Sequence, residues 1–201
     1  SKGWQILEKT REMIPGNILS IADAKRGDIG NTSSMYAKAF FETMDFDALT
    51  VAPYMGFDSV EPFLKFTTKI TIVLGLTSNV GSADFQTNEL YSPPLYKTVL
   101  ERVSSWGSPD NLMFVVGATK AAALKEIREL VPNHFLLIPG VGAQGGSAVE
   151  VCENGANSIG GLLINSSRGI IYASSGKDFA EAARAKAKEL ALETRPYTAH
   201  L

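Results

Sequence analysis

Short apolar runs alternate with longer amphipathic segments along the whole chain. Each apolar run is rich in Val, Ile and Leu and is bounded by Gly, Pro, Asn or Ser, which is the pattern of a buried β-strand. The predicted strands lie at 17–24, 47–53, 70–78, 111–118, 134–141 and 158–166. The amphipathic segments predict helices at 2–13, 32–44, 58–65, 92–106, 120–130, 147–154 and 177–194. The sequence therefore predicts a repeated βα arrangement.

The number of βα repeats indicates the fold class. Strands that are apolar throughout favour a parallel sheet whose outer face is covered. Six repeats, preceded by a helix that has no strand before it, fit a (β/α)8 TIM barrel that lacks its first two strands better than a complete small sheet. The chain of 201 residues is also shorter than the about 250 residues that such barrels usually need. The alternative is an open doubly wound α/β sheet, but the first strand-to-helix turn has no G-x-G-x-x-G fingerprint of a dinucleotide site.

The organisation of the chain favours one domain. No linker or low-complexity segment interrupts the βα pattern, so residues 1–201 are expected to form a single barrel domain that is incomplete at its N-terminus. The longest irregular stretch, SNVGSADFQTNELYSPP at 78–94, predicts a mobile flap over a site. No apolar run approaches the roughly 20 residues needed to span a bilayer, and the opening SKGWQILEK lacks the layout of a secretory signal.

Composition and charge narrow the classes of partner. A net charge of −2 gives no reason to expect nucleic acid or an anionic membrane as a partner. The single cysteine, Cys152, cannot form an internal disulfide and is interpreted as a packing residue of the helical segment SAVEVCENG. Together with the separated His134 and His200 it makes no metal-ligand spacing. We therefore expect a reducing, cytoplasmic setting and no metal.

The first predicted strand runs into the segment IADAKRGDIGNTS, which places Asp23, Lys25 and Asp28 close together. Alternation along a strand sends Asp23 and Lys25 to the same face. In a barrel these residues would lie at the carboxyl end of the strand, where barrel enzymes have their catalytic groups. The alternative is a solvated turn with a surface ion pair worth only about 0–1 kcal/mol. Residues 31–33 are expected to cap the following helix.

A second group of residues follows the last two predicted strands. The segment PGVGAQGG (139–146) contains glycines that free backbone N–H groups to face an anion, and NSSRG (165–169) adds Arg168 as a bidentate clamp. TIM barrels build phosphate sites after strands 7 and 8, which fits this pair of segments. The alternatives are a tight turn for the glycines and a surface charge for Arg168. Their pairing on adjacent strand ends favours a phosphate site.

The segment DAKRGDIGNTS resembles the signature of the bacterial orotidine 5'-monophosphate decarboxylases. The resemblance continues in the same order through TVAPYMG, LTSN, VGAT, PGVGAQGG and NSSRGIIYA and covers nearly the whole chain. It implies a (β/α)8 barrel and a cofactor-free lyase that converts orotidine 5'-monophosphate (OMP) to uridine 5'-monophosphate (UMP), the last step of pyrimidine nucleotide synthesis. It also implies a homodimer with shared active sites.

The resemblance assigns a role to each predicted site residue. Loss of CO2 from C6 of the pyrimidine leaves a vinyl carbanion, and Lys25 is expected to stabilise that charge and then protonate it. Asp23 is expected near the departing carboxylate, and Asp28 reaches from the partner subunit into the same pocket. Ser78 resembles the serine that contacts the pyrimidine edge, with a simple turn serine as the alternative. The other expected substrate contacts are Pro139, Gln144, Gly145 and Arg168 around the phosphate, and Ile29 and Thr32 across the dimer interface.

The sequence departs from the family pattern at its start. The family takes a ribose-binding aspartate from its first strand and a second active-site lysine from its second strand, and neither strand has a counterpart before Ser1. We expect a truncated form of a longer protein, with an inactive remnant as the alternative. Two other functions stay open: a metal-dependent sugar-phosphate decarboxylase or aldolase of the same superfamily, and a non-catalytic nucleotide-binding fragment.

Overall fold

The computed structural model of the chain describes residues 1–88, 90, 92–142 and 145–198. Within them, a β-strand overlaps each of the six predicted strand segments, and every strand is shorter than predicted; the first also continues two residues past its predicted end at 24. The strands are β1 (Ile21–Arg26), β2 (Ala48–Val51), β3 (Ile70–Leu76), β4 (Leu112–Val116), β5 (Leu136–Pro139) and β6 (Leu162–Asn165). β1, β2 and β3 are neighbours in that order, and so are β4, β5 and β6; the pairings given below are parallel. The predicted α/β class with a parallel sheet is confirmed.

The helices also lie close to where the sequence predicts them. The predicted helix at 32–44 begins earlier and continues into a π-helical segment, Ala39–Thr43, and two short helices lie in segments predicted to be irregular. The α-helices are α1 (Lys2–Glu12), α2 (Gly30–Lys38), α3 (Phe57–Leu64), α4 (Ser82–Phe85), α5 (Leu95–Ser104), α6 (Ala121–Leu130), α7 (Ala148–Gly155), α8 (Arg168–Ile171) and α9 (Phe179–Thr194). Among the described helices, none has the length and apolar character to cross a membrane.

The chain divides into two compact units. The first contains Ser1–Leu74 and Arg102–Met113, and the second contains Gly75–Glu101 and Phe114–Leu201. The single domain predicted over 1–201 stays a prediction.

The first unit is built around β2. Every residue of this strand is buried, and β2 pairs in parallel with β1 on one side and with β3 on the other. Its core includes Phe40, Phe41 and Phe63, each at most 2% exposed, and the Phe41 and Phe63 rings meet edge-on with their centroids 6.5 Å apart. Full burial of one such side chain stabilises a fold by about 1.5–3 kcal/mol. β1 and β2 are therefore stabilised by a well-packed core.

The second unit is built around β5. Leu136 is fully buried, and its neighbours in register are Phe114 on β4 and Leu162 on β6. At the far end of the same pairing, Pro139 of β5 lies opposite Asn165 of β6. The segments that follow these two strands therefore begin side by side.

Arg128, on α6, holds several turns of the second unit together. Its guanidinium donates hydrogen bonds of 2.7–3.1 Å to four backbone carbonyls, those of Val131, His134, Gly155 and Gly161. Burial lowers the pKa of Arg128 to about 10, so the group remains a cation at neutral pH. The Gly161 carbonyl also accepts from the N–H of Leu136 at 2.9 Å, so Arg128 ties this strand pairing to the three other turns. No sequence pattern indicates this role, because an arginine on a helix face most often faces solvent.

Candidate active site

The carboxyl end of β1 is distorted by a bulge. From Ala22 to Arg26 the strand advances four residues, while its partner β2 advances two, from Leu49 to Val51. Bulges re-aim side chains and are frequent beside active sites. Lys25 lies inside the bulge with a φ of 47°, in the left-handed region that a residue with a Cβ rarely adopts. Backbone strain of this kind costs about 1–3 kcal/mol and persists only where the surroundings enforce it.

The bulge brings Asp23 and Lys25 into direct contact. Lys25 Nζ donates to Asp23 Oδ1 at 2.5 Å, and both side chains are more than half exposed. Thr50 Oγ1 donates to the same Asp23 oxygen at 3.0 Å. The two side chains are in contact, as the sequence predicts. The cause of the contact is the bulge and not the regular alternation of side chains along a strand. The result is an ammonium and a carboxylate held at the strand end and open to a ligand.

Arg26 closes the bulge on its other side. Its guanidinium donates two hydrogen bonds, of 2.8 and 2.6 Å, to the carbonyl oxygen of Ala24, and it lies over the Tyr36 ring at 5.5 Å. The carbonyl of Arg26 in turn accepts from the N–H of Ala52 at 2.8 Å, which restores the pairing with β2 beyond the bulge. The distortion is therefore fixed at both ends.

Asp28, Ile29 and Thr32 follow at the start of α2. Asp28 Oδ1 accepts from the N–H of Ile29 at 2.8 Å, Ile29 is 57% exposed, and Thr32 is exposed. The predicted capping by residues 31–33 is wrong: the N-cap is Ile29, and the Ser33 hydroxyl donates instead to the carbonyl of Ser59 at 2.7 Å. The helix starts before these residues because Gly30, at a φ of 52°, allows the turn.

In the second unit, the motifs at successive strand ends approach one another through glycines. A Cβ on Gly117 would lie 2.7 Å from the Cβ of Ser78, and one on Gly146 would lie 2.4 Å from the Cβ of Ala118. Real Cβ atoms do not come so close, so only glycine fits at these two positions. The segments LTSN, VGAT and PGVGAQGG are thus joined by contacts that require their glycines.

Ser78 lies in the turn that follows β3. The N–H of the preceding Thr77 donates to Gln86 Oε1 at 2.7 Å, and the Thr77 hydroxyl bonds the Asn79 side chain at 2.6 Å. Gln86 belongs to the stretch predicted as a mobile flap, which contains α4 among its described residues. The position of Ser78 is therefore fixed by its neighbours on both sides.

The glycine segment after β5 bonds to itself. The N–H of Gly145 donates to the carbonyl of Gly142 at 2.8 Å, and the N–H of Gly142 donates to the carbonyl of Gly146 at 3.0 Å. Gly142 and Gly145 have φ values of 78° and 85°. These two N–H groups are engaged within the loop, so their glycines set its shape. The contacts of Pro139 and Gly145 with a phosphate stay predictions, and Gln144 lies outside the described residues.

Arg168 is the first residue of α8, in the segment that follows β6. Its side chain is exposed, and no other described residue forms a hydrogen bond or ion pair with it. The neighbouring Ser166 hydroxyl lies 3.9 Å from where a Cβ on Gly142 would stand, so the two segments are adjacent. A cation of this kind can reorient towards an anion without breaking an existing bond.

Two further sequence interpretations concern metal and thiol chemistry. Among the described residues, no group of three or more His, Cys, Asp or Glu side chains is arranged to hold a metal ion. Cys152 is 3% exposed, and burial raises the pKa of its thiol. Its place in the core agrees with a packing residue.

Comparison with known proteins identifies the family. The model of the "Orotidine 5'-phosphate decarboxylase / HUMPS family" matches residues 1–185. A Flavobacterium johnsoniae protein named orotidine 5'-phosphate decarboxylase is 60% identical over 195 residues, which are 96% of this chain and 71% of the relative. The solved Leishmania donovani OMP decarboxylase shares 35% identity at a TM-score of 0.84, over 96% of this chain and 75% of that one.

A third protein extends the likeness to a ligand-bound structure. The orotidine 5'-monophosphate decarboxylase of Methanocaldococcus jannaschii, solved in complex with the inhibitor BMP, is 26% identical at a TM-score of 0.73 and covers 94% of this chain and 80% of that one. The shared fold favours the predicted barrel family over the doubly wound sheet. From its first residues to position 185, the chain belongs to the orotidine 5'-phosphate decarboxylase / HUMPS family.

Proposed function

We propose that this protein decarboxylates OMP to UMP and CO2. The comparisons confirm the prediction of family and enzyme class, because the relatives of high identity are named orotidine 5'-phosphate decarboxylases, which are carboxy-lyases of pyrimidine biosynthesis. The observation that carries the proposal is the exposed Asp23–Lys25 pair held in a bulge at a strand end. The relatives compared above are named as decarboxylases and not as metal-dependent aldolases.

The pair suits a reaction that loses one carboxylate and gains one proton. Removal of CO2 places a negative charge on C6, and the Lys25 ammonium is the group that stabilises this charge and supplies the proton. Two unit charges about 4 Å apart repel by about 4 kcal/mol at an effective dielectric of 20. Asp23 therefore disfavours the substrate carboxylate and ceases to do so as CO2 departs, which lowers the barrier.

The phosphate is proposed to bind in the second unit. Arg168 supplies a planar cation suited to two parallel hydrogen bonds with a phosphate. The adjacent glycine segment, with Pro139, Gln144 and Gly145, and the fixed Ser78 are proposed to complete the contacts with the nucleotide. Binding energy from a phosphate that takes no part in the chemistry can be used to lower the barrier at C6.

We also propose that the protein acts as a homodimer in which Asp28, Ile29 and Thr32 reach the partner's substrate. Support comes from exposed apolar side chains around this segment: Ile29 and Met35 are more than half exposed, and Met55 is 45% exposed. Exposed apolar groups of this density often mark an interface. The cytoplasm is the proposed location, in agreement with a lone, buried cysteine.

The barrel is proposed to need chain outside these 201 residues. The chain spans 71% of the Flavobacterium johnsoniae relative, so that relative has further residues. In the second unit, apolar residues of β6 and α9 line a cavity of about 330 Å³. An additional strand beside β6 would cover this apolar surface, and the first two strands of the family, with their aspartate and lysine, are the proposed source.

Turnover by the longest natural form of the protein tests the proposal. We expect OMP to be consumed at an unchanged rate with excess chelator present. Loss of turnover in chelator would indicate a metal-dependent relative of the decarboxylases. Tight binding of UMP without any turnover would indicate a non-catalytic nucleotide-binding protein.

A further inference from the structure

We infer that Thr50 is a positioning residue that holds Lys25 and Asp23 in their working geometry. The inference rests on the proposed function, because it takes this pair as the reacting groups. Thr50 lies on β2, is fully buried, and begins the TVAPYMG segment, but it is not among the predicted site residues.

Thr50 faces the bulge alone. Between the paired positions Leu49 and Val51, β2 offers only this residue, whereas β1 inserts three residues, 23–25, opposite it. The Thr50 hydroxyl is the polar side-chain group of β2 at this point. A hydroxyl both donates and accepts, so it can satisfy two groups of the distorted strand at once.

The hydroxyl binds both members of the pair. Thr50 Oγ1 accepts from the backbone N–H of Lys25 at 2.9 Å and donates to Asp23 Oδ1 at 3.0 Å. The carbonyl of Ala22 lies at 3.5 Å and competes poorly, since a hydroxyl has one proton and the carboxylate is both nearer and charged. One buried atom thus fixes the backbone of Lys25 and the side chain of Asp23.

The bond to Lys25 acts at the strained point. The bulge breaks the regular ladder around Lys25, whose φ is 47°. The Thr50 hydroxyl gives the Lys25 N–H a partner in place of a ladder carbonyl. Without it, a part-buried N–H would lose its bond and the backbone would gain freedom to relax. Lys25 Nζ would then lose its alignment with C6, and a misplacement of about 1 Å can cost about 100-fold in rate.

The test compares three variants in the longest natural form of the protein. Thr50→Val removes the hydroxyl and keeps the β-branched shape, and Thr50→Ser keeps the hydroxyl. Thr71→Val is the matched control, because Thr71 is also fully buried, lies on the neighbouring strand, and has a hydroxyl with no hydrogen-bond partner among the described residues. Each variant is measured for kcat and KM with OMP, for its thermal midpoint, and for hydrogen–deuterium exchange of the Lys25 amide.

We expect Thr50→Val to stay folded, to lose about 10- to 100-fold in kcat with KM changed less than about threefold, and to exchange the Lys25 amide at least about tenfold faster. Thr50→Ser should stay within about threefold of the wild type in each measurement. Thr71→Val should match the wild type in kcat, KM and Lys25 exchange, and its thermal midpoint should not fall. A merely structural threonine would lower the thermal midpoint without this division between kcat and KM.

Other results would overturn the inference. Full kcat in Thr50→Val would do so, as would an equal loss in Thr71→Val. If Thr50→Val did not fold, Thr50→Cys, which has nearly the same volume and a weaker hydrogen bond, would have to show the same fall in kcat. An inactive wild type would refute the proposed function by itself. In that case, hydrogen–deuterium exchange of the Lys25 amide would still test the role of Thr50. Faster exchange in Thr50→Val, and not in Thr71→Val, would support Thr50 as the residue that holds Lys25, and unchanged exchange would refute it.

Discussion

The positive φ of Lys25 predicts that its replacement by glycine and by alanine will have different effects on stability and the same effect on activity. Both variants lose the ammonium and the ion pair with Asp23, which is worth about 0.2–1 kcal/mol when exposed. Only Lys25→Gly also relieves the left-handed backbone at a φ of 47°. The comparison between the two variants therefore isolates the strain.

The size of the difference follows from two opposing contributions. A left-handed conformation costs a residue with a Cβ about 1–2 kcal/mol. Glycine removes this cost, but it destabilises the folded state by about 0.5–1 kcal/mol, because an unfolded chain with glycine has more conformational freedom to lose. Lys25→Gly should thus be more stable than Lys25→Ala by about 0.5–1 kcal/mol, which for a chain of this size is about 1–4 °C in thermal midpoint.

Thermal unfolding and turnover of OMP measure the two effects separately. Both variants should retain less than about a hundredth of wild-type turnover, the scale of one lost general acid. Asp45, the other described non-glycine residue with a positive φ, at 52°, provides the control. Asp45→Gly should exceed Asp45→Ala in stability by a similar amount, and both should keep full turnover. A Lys25→Gly protein no more stable than Lys25→Ala, or either one with more than a hundredth of the activity, would refute the reasoning.

Three further predictions concern the second unit. Arg168→Ala should lower kcat/KM for OMP about 100-fold, which corresponds to a loss of about 3 kcal/mol in transition-state stabilisation. The slow reaction of unphosphorylated orotidine should hardly change, and equal losses for both substrates would make Arg168 structural. Gly146→Ala places a Cβ 2.4 Å from that of Ala118. The loop must then move by about 1 Å, and kcat/KM for OMP should fall about 100-fold. Gly16→Ala, whose new Cβ meets open space, should leave kcat/KM unchanged. Burial, and secondly the charge of Arg128, lowers the pKa of His134 from its ordinary 6.5. The unfolded chain therefore binds this proton more readily, and stability should fall as pH drops below about 6.5; a His134→Phe protein whose thermal midpoint falls as steeply between pH 7.5 and 5.5 would contradict this.

The sequence by itself determined the succession of elements. The apolar runs located all six strands and the amphipathic segments located the longer helices, because hydrophobic periodicity depends on which face of a local element is buried. It also placed Asp23, Lys25 and Asp28 at a strand end and Arg168 beyond another, since strand ends follow directly from where the apolar runs stop. The family followed from the order of its motifs.

Only the tertiary structure decided how these groups are held. The bulge in β1 depends on a difference in length against β2, and no pattern within either strand records such a mismatch. Thr50 became visible as a partner of Asp23 and Lys25 only when the two strands were placed in register, 25 and 27 positions apart along the chain. The requirement for Gly117 and Gly146 likewise arises from side chains of other segments. A local sequence specifies which residues are buried or exposed, whereas contacts between distant segments depend on register and packing, which exist only in the folded chain.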